Sequence, residues 1–238
     1  MHFLYLDTET TGTDPGARLV QLAYKNATTG AIVNEYFKPP VKISYGAMAV
    51  HHITHEMVEN KPVFIGSECH STLTRELENV IVVAHNAAFD IGILKNEGIT
   101  IANHIDTVRL SRHVVEGAEQ HALQYLRYYL NLGVAANAHD ALGDILVLEA
   151  LFSYLQKKVA EKYNLEGDEQ IYQKILELNQ QPTLLNTIRF GKYKGKTYQE
   201  VAKTDKAYLE WLYGSETQKN ATEQNAELVF TLHHYIGQ

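Results

Sequence analysis

The chain has 238 residues, room for one large domain or for one domain with a small appendage. Apolar residues make up 45% and charged residues 21%, which fits a folded core and excludes global disorder. The net charge of −7 is the wrong sign for a phosphate backbone, so contact with nucleic acid would need local basic groups or carboxylate-held cations. No apolar run approaches the ~18 residues that span a bilayer, so no membrane partner is expected. The opening MHFLYLD lacks a basic leader and meets an acid at Asp7, which predicts no secretory signal. Cys69 is the single cysteine; it excludes an intrachain disulfide and any zinc site of several cysteines, and a reducing cytoplasmic location is expected.

In chain order, Phe3–Thr10, Leu19–Tyr24 and Ile32–Phe37 read as three strands of a meander, separated by Asp14-Pro15-Gly16 and Thr28-Thr29-Gly30. Pro39-Pro40 stops the third. A His-rich polar stretch runs from Ser44 to Pro62. The pattern then predicts a helix over 67–79, a buried strand over 80–84 and a helix over 87–97 ended by Gly98. Further helices are predicted over 106–115 and 122–132. A long one starts at His139 or Asp140 and reaches about Lys162, with apolar residues at Leu142, Ile145, Leu146, Leu148, Leu151 and Leu155. Strands followed by alternating strand and helix indicate a mixed sheet flanked by helices. The composition divides the chain into a domain over 1–163, a polar linker over 164–181 with a short helix near 171–178, and a small C-terminal module over 182–238. The excess acid lies almost wholly in the first part, and the module is barely basic.

The acids fall in a pattern. Asp7 and Glu9 lie two apart on the first strand, so both side chains share a face. Two such carboxylates repel, and a bound cation relieves them; an exposed strand end is the alternative. Asp90, in VIVVAHNAAFD, sits just past a buried strand, where an acid can instead serve the helix dipole. Asp144 is on the first turns of the long helix, five residues after His139, between Leu142 and Ile145; a solvent-facing acid is the alternative there. Thr10-Thr11-Gly12 is a small-residue turn whose backbone N–H groups can approach a ligand.

LDTETTG, HNAAFD and HDALGD, in this order, resemble the three signatures of the DEDDh (DnaQ-like) 3′→5′ exonuclease superfamily. The resemblance covers about residues 1–160. It implies a ribonuclease H-like α/β fold with a five-stranded mixed sheet flanked by helices. It also implies metal ligands at Asp7, Glu9, Asp90 and Asp144, with a general base at His139. Asp7 would bridge two ions, Glu9 and Asp144 would complete the water-bearing site, and Asp90 would help hold the second ion. Phosphodiester hydrolysis needs an activated water and stabilisation of the leaving oxygen, which two divalent ions ~3.5–4 Å apart provide. Hard oxygen ligands select Mg²⁺, with Mn²⁺ as a substitute. An imidazole with a pKa near 6.5 suits removal of the water's proton.

In similar enzymes the turn after Asp-x-Glu meets the 3′-terminal nucleotide, which maps onto Thr10, Thr11 and Gly12. Asn86 and Phe89 are scaffold or nucleotide-contact positions. AVHHITHEMV resembles the family's Ile-His-Gly-Ile-Thr segment, with His52 in place of the usual glycine. His51 is expected beside the substrate groove; a zinc site with His55 lacks a third ligand. Asp106 is most simply a helix cap.

RFGKYKGKT does not have phosphate-loop spacing, because Gly191 and Gly195 are one residue too close. Arg189, Lys192, Lys194 and Lys196 alternate with Phe190, Tyr193 and Tyr198, which suits phosphate contact and base stacking. The alternative is a solvated hairpin packed under Trp211. QPTLLNTIRFGKYKGKTYQEVAKTDKAYLEWLYG resembles the C-terminal segment of the bacterial exodeoxyribonuclease X branch. The expected activity is therefore Mg²⁺-dependent 3′→5′ hydrolysis of DNA ends, with DNA favoured over RNA. An exoribonuclease of the ribonuclease T kind, a polymerase proofreader and a 3′-end-binding scaffold are the alternatives.

Overall fold

In the computed structural model the described residues are 1–134, 141–220 and 223–237. Five strands form one sheet in the order β3-β2-β1-β4-β5. They are β1 (Phe3–Thr10), β2 (Leu19–Asn26), β3 (Ile32–Tyr36), β4 (Ile81–Ala84) and β5 (His104–Asp106). The meander β1-β2-β3 is antiparallel, while β4 runs parallel to both β1 and β5. The three-residue β5 escapes sequence reading because it is too short to show a period; the edge of β4 makes it a strand.

Alternation along β1 builds two layers. Leu4 and Leu6 point into a core with Leu73, Ile93 and Leu94, which lie on or beside α3 (Glu68–Glu76) and α4 (Ala87–Asn96). Tyr5 points to the opposite face and packs with Leu148 and Phe152 of the long helix α7 (Ala141–Tyr163). That core also takes Leu110 of α5 (Thr107–Val114) and Leu126 of α6 (Leu123–Tyr129). Between β3 and β4 the short helices α1 (Tyr45–His51) and α2 (His55–Val58) cover Val20 through Ile43, Ile53 and Val58.

The segment expected as a polar linker is better ordered than its composition suggests. It forms α8 (Asp168–Gln180), longer than the short helix expected, and buries Ile175 and Leu178 in the α7 core. Two apolar side chains at helical spacing suffice to dock a polar helix. Asn179 then accepts the Asp106 N–H at 2.7 Å through its side chain and Arg109 at 2.6 Å through its carbonyl.

The C-terminal module comprises α9 (Tyr198–Thr204), α10 (Lys206–Thr217) and α11 (Ala226–Ile236) around Ile188, Tyr198, Val201, Leu209, Leu228 and Leu232. Its opening turn is a small hairpin, with Thr187 bridged to Thr197. Gly191 has φ 66°, and a Cβ there would lie 2.7 Å from the Tyr208 hydroxyl, so the turn requires glycine. The aromatics divide. Tyr198 is buried and Tyr193 packs edge-on against Tyr208, with centroids 4.9 Å apart, whereas Phe190 is 43% and Trp211 64% exposed. Trp211 therefore does not cover the hairpin; Tyr208 does. The module is held to α5 by Glu227, whose carboxylate meets Arg112 at 2.6 Å and Arg109 at 3.4 Å and accepts the Thr183 hydroxyl at 2.9 Å.

His52, the residue that departs from the family's glycine, caps α1 in the left-handed region, at φ 61°. That region costs a side chain roughly 1–2 kcal/mol, part of which glycine returns through unfolded-state entropy. His52→Gly should raise stability by about 1 kcal/mol, read from urea unfolding without metal; an unchanged or lower midpoint would show that the His52 ring makes a compensating contact.

Candidate active site

The site grows from the far end of β1. β4 pairs with β1 only at Phe3, Leu4 and Tyr5, so the strand from Leu6 onward runs past its parallel neighbour. β2 supports that overhang from the other side, with Asp7 opposite Ala23 and Glu9 opposite Gln21. The small Ala23 leaves room on this face for α7. The register slips by one residue directly after Glu9, a bulge of the kind that redirects side chains next to functional sites.

α7 brings Asp144 to the same face on its first turn, where the helix dipole favours a negative charge. Ligand oxygens of Asp7, Glu9 and Asp144 all lie within 4.8 Å of one another. Asp144 is buried, and its Oδ1 accepts the side-chain amide of Gln124 on α6 at 2.5 Å. Three converging carboxylates are a hard-oxygen donor set that fits a divalent cation.

Asp90 stands apart from this cluster. It comes from the first turn of α4, on the Leu4–Leu6 side of β1, and its Oδ1 accepts the Thr8 hydroxyl at 2.7 Å. It is buried, and burial pushes its pKa up to about 7 against the opposing pull of the Thr8 bond. The four acids thus flank the overhanging end of β1, three on one face and one on the other. His139 lies outside the described residues.

The Thr10–Gly12 turn is tied down by its surroundings. The Thr10 hydroxyl donates to the Gly12 carbonyl at 2.7 Å. Thr11 N–H donates to Arg18 O and the Thr11 carbonyl accepts from Ser44 N–H, at 2.9 and 2.8 Å. The Thr11 N–H is thus spent on structure and is not presented to a ligand. Arg18 in turn forms a fork on the buried carboxylate of Glu97, with both contacts at 2.8 Å.

His51 completes this clamp. The Ile53 N–H donates to its Nδ1 at 3.0 Å, so its Nε2 carries the proton and donates to the Thr10 carbonyl at 3.0 Å. Burial pushes its pKa below the ordinary imidazole value, which keeps this neutral tautomer. With both nitrogens engaged, His51 positions the turn from behind.

Asn86 is exposed and left-handed, with φ 72°, and its backbone N–H donates to Asp106 Oδ1 at 3.0 Å. The same oxygen accepts Val108 N–H at 2.9 Å, so Asp106 is a helix cap, as expected, that also pins the turn before Asp90. Phe89 is half-buried against the α4-side core. In the module, Lys192 and Tyr193 both bind Asp205, at 3.1 and 2.7 Å, whereas Arg189, Lys194 and Lys196 are exposed.

Sequence reading missed Gln124, Glu97 and His85. His85 sits inside the HNAAFD signature region; its Nε2 donates to the His121 carbonyl at 2.8 Å, while His121 Nδ1 donates to Ser111 at 2.9 Å. Burial lowers both imidazoles to about 4, so they are neutral near pH 7. The chain holds the loop that leads to Gln124. Spacing carries no trace of such contacts, because the partners meet only across the fold.

A mixed sheet with acids gathered at the end of its central strand is the architecture of a ribonuclease H-like nuclease. The exonuclease family pattern matches residues 4–152, and the chain belongs to that family. The exodeoxyribonuclease X-like C-terminal pattern matches residues 188–216. The chain is 31% identical to exodeoxyribonuclease 10 of Escherichia coli (strain K12), over 97% of each chain. It is 29% identical to the DNA polymerase III subunit epsilon of Buchnera aphidicola, over 63% of this chain and 70% of that one. Its fold resembles exonuclease X in complex with 5′-overhanging duplex DNA, with TM-score 0.57 and 24% identity over 73% of this chain and 99% of that one. Escherichia coli exonuclease I in complex with a dT13 oligonucleotide gives TM-score 0.57 and 18% identity, over 68% and 42%. No helix among the described residues is long and apolar enough to cross a membrane.

The raised Asp90 pKa has a stability consequence. In the folded protein Asp90 keeps its proton up to about pH 7, while the unfolded chain releases it near 4. The native state therefore binds the extra proton between these values, and stability falls as pH rises through that window. In EDTA, the melting temperature of the wild type should drop between pH 5 and 8 more steeply than that of Asp90→Asn; parallel curves would place the Asp90 carboxylate in water.

Proposed function

We propose that the chain is a 3′→5′ exodeoxyribonuclease, with divalent cations held by Asp7, Glu9 and Asp144. The convergence of those three carboxylates carries the reading. The near full-length identity to exodeoxyribonuclease 10 favours DNA over RNA. Mg²⁺ is the cation that hard carboxylate oxygens favour, with Mn²⁺ as substitute. When bound, a pair of such ions supplies an activated water and neutralises charge on the leaving oxygen.

The chain's own residues do the remaining work. Asp7, on the overhanging end of β1, would hold the cations together with Glu9 and Asp144. Gln124 holds Asp144 Oδ1 and fixes the orientation of that carboxylate. Asp90, on the other face, would help hold a second cation once ionised. His139 takes the proton of the attacking water as general base. The terminal nucleotide is received by the clamped Thr10–Gly12 turn, by exposed Asn86 and by Phe89, with His51 behind the turn. Arg189, Lys194 and Lys196 of the module contact the phosphates of the strand upstream of the released nucleotide.

A denaturing-gel time course on 5′-labelled single-stranded DNA and matched RNA, with Mg²⁺ or EDTA, tests this. The wild type should shorten DNA from its 3′ end only with metal. Asp7→Asn and His139→Ala should each lose at least about 100-fold, and Gln124→Ala about 10–100-fold, as for supporting contacts behind a metal ligand. Faster loss of RNA would make the chain a ribonuclease, and near-normal turnover by His139→Ala would remove the base assignment.

A further inference from the structure

A cavity of about 480 Å³ opens where the C-terminal module meets the exonuclease domain. That is within the size range of small-ligand sites. One wall is built by His85 and Asn86, at the end of β4, and by the loop through Gln120 and His121. The opposite wall is the chain entering the module, through Leu184, Asn186 and Arg189. Neither part makes the cavity alone.

Its position ties it to the acids. Asn86 caps α4, whose first turn bears Asp90. On the other side, Gln120 and His121 lead directly into α6, whose Gln124 holds Asp144. The walls of the cavity therefore continue into the segments that carry Asp90 and the support of Asp144.

Its chemistry suits a nucleotide. Leu184 and Ala122 offer apolar surface to a base, and Asn86 and Gln120 offer amide groups to its edge or to the sugar. Of the two lining arginines, Arg112 is committed to Glu227 at 2.6 Å, whereas Arg189 is exposed. The walls are braced for the purpose. The neutral His85 and His121 hold one side, and Asn186 donates to the Glu119 carbonyl at 3.2 Å across the junction. The Glu227 cluster keeps the module in place.

We propose that this junction cavity is a subsite for the nucleotide just upstream of the one being released, with Arg189 on its phosphate. The subsite rests on the exonuclease reading and extends it: the C-terminal module takes part in substrate selection by completing the groove. Such an enzyme prefers a 3′ end that continues as a single strand for at least one more nucleotide.

The test compares full-length wild type, Arg189→Ala, Arg189→Lys and Asn186→Ala on two substrates. One is a single-stranded DNA oligonucleotide. The other is the p-nitrophenyl ester of thymidine 5′-monophosphate, which has no upstream nucleotide. For Arg189→Ala the ratio of kcat/KM for the oligonucleotide to that for the ester should fall about ten-fold or more, mainly through KM on the oligonucleotide, as expected for loss of one charge-assisted phosphate contact. Arg189→Lys should recover part of the ratio, and Asn186→Ala should lower it less. The salt slope of oligonucleotide KM should shrink by about one for Arg189→Ala. An unchanged ratio overturns the subsite, as does an equal loss on both substrates. Fluorescence anisotropy of the oligonucleotide with Asp7→Asn, with and without Arg189→Ala, decides the subsite without turnover: equal affinities overturn it. Wild type that hydrolyses neither substrate overturns the nuclease reading instead.

Discussion

Three carboxylates within 4.8 Å of one another set the problem that the rest of the molecule solves. At an effective dielectric near 20, each such pair repels by about 3–4 kcal/mol. Together these terms rival the roughly 5–15 kcal/mol by which a whole domain is stable. A fold can keep such a cluster only if its backbone is held rigidly by other means and if cations or protons take up the charge. The central strand meets the first condition, since β2 and the buried Leu4, Tyr5 and Leu6 anchor β1 before it reaches Asp7. α7 meets it for Asp144, with a line of buried side chains from Ile145 to Val159 behind the first turn.

Around that cluster, neutral hydrogen bonds do most of the positioning. His51, His85 and His121 are all buried or half-buried, and their pKa values are lowered by burial. Kept neutral, each ring donates through one nitrogen to a carbonyl or hydroxyl and braces a loop. The ion pair of Arg18 with Glu97 serves the same end by locking the chain that follows the Thr10–Gly12 turn.

The C-terminal module follows a different logic. Its core is small, and several of its basic and aromatic residues serve that core: Lys192 and Tyr193 secure Asp205, and Tyr198 is buried. The docking is polar, through Glu227 and two arginines, with α8 as a packed spacer. A polar junction leaves open space at its edge, walled in part by His85, Asn86 and Gln120.

Much of this was legible before any coordinates. The meander, the buried strand before HNAAFD, the long helix bearing Asp144 and the shared face of Asp7 and Glu9 all follow from local periodicity, which depends on neighbours in the chain. Tertiary structure alone decided the rest. β5 exists because β4 offers an edge, and α8 is packed because α7 and α5 offer a groove for Ile175 and Leu178. The separation of Asp90 from the other three acids depends on which face of β1 each approaching helix covers. The roles of Gln124, Glu97 and His85 depend on partners 20, 79 and 36 residues away. Periodicity records which way a side chain points from its own element. What it meets there is set by the packing of other elements, and that information is nowhere local in the sequence.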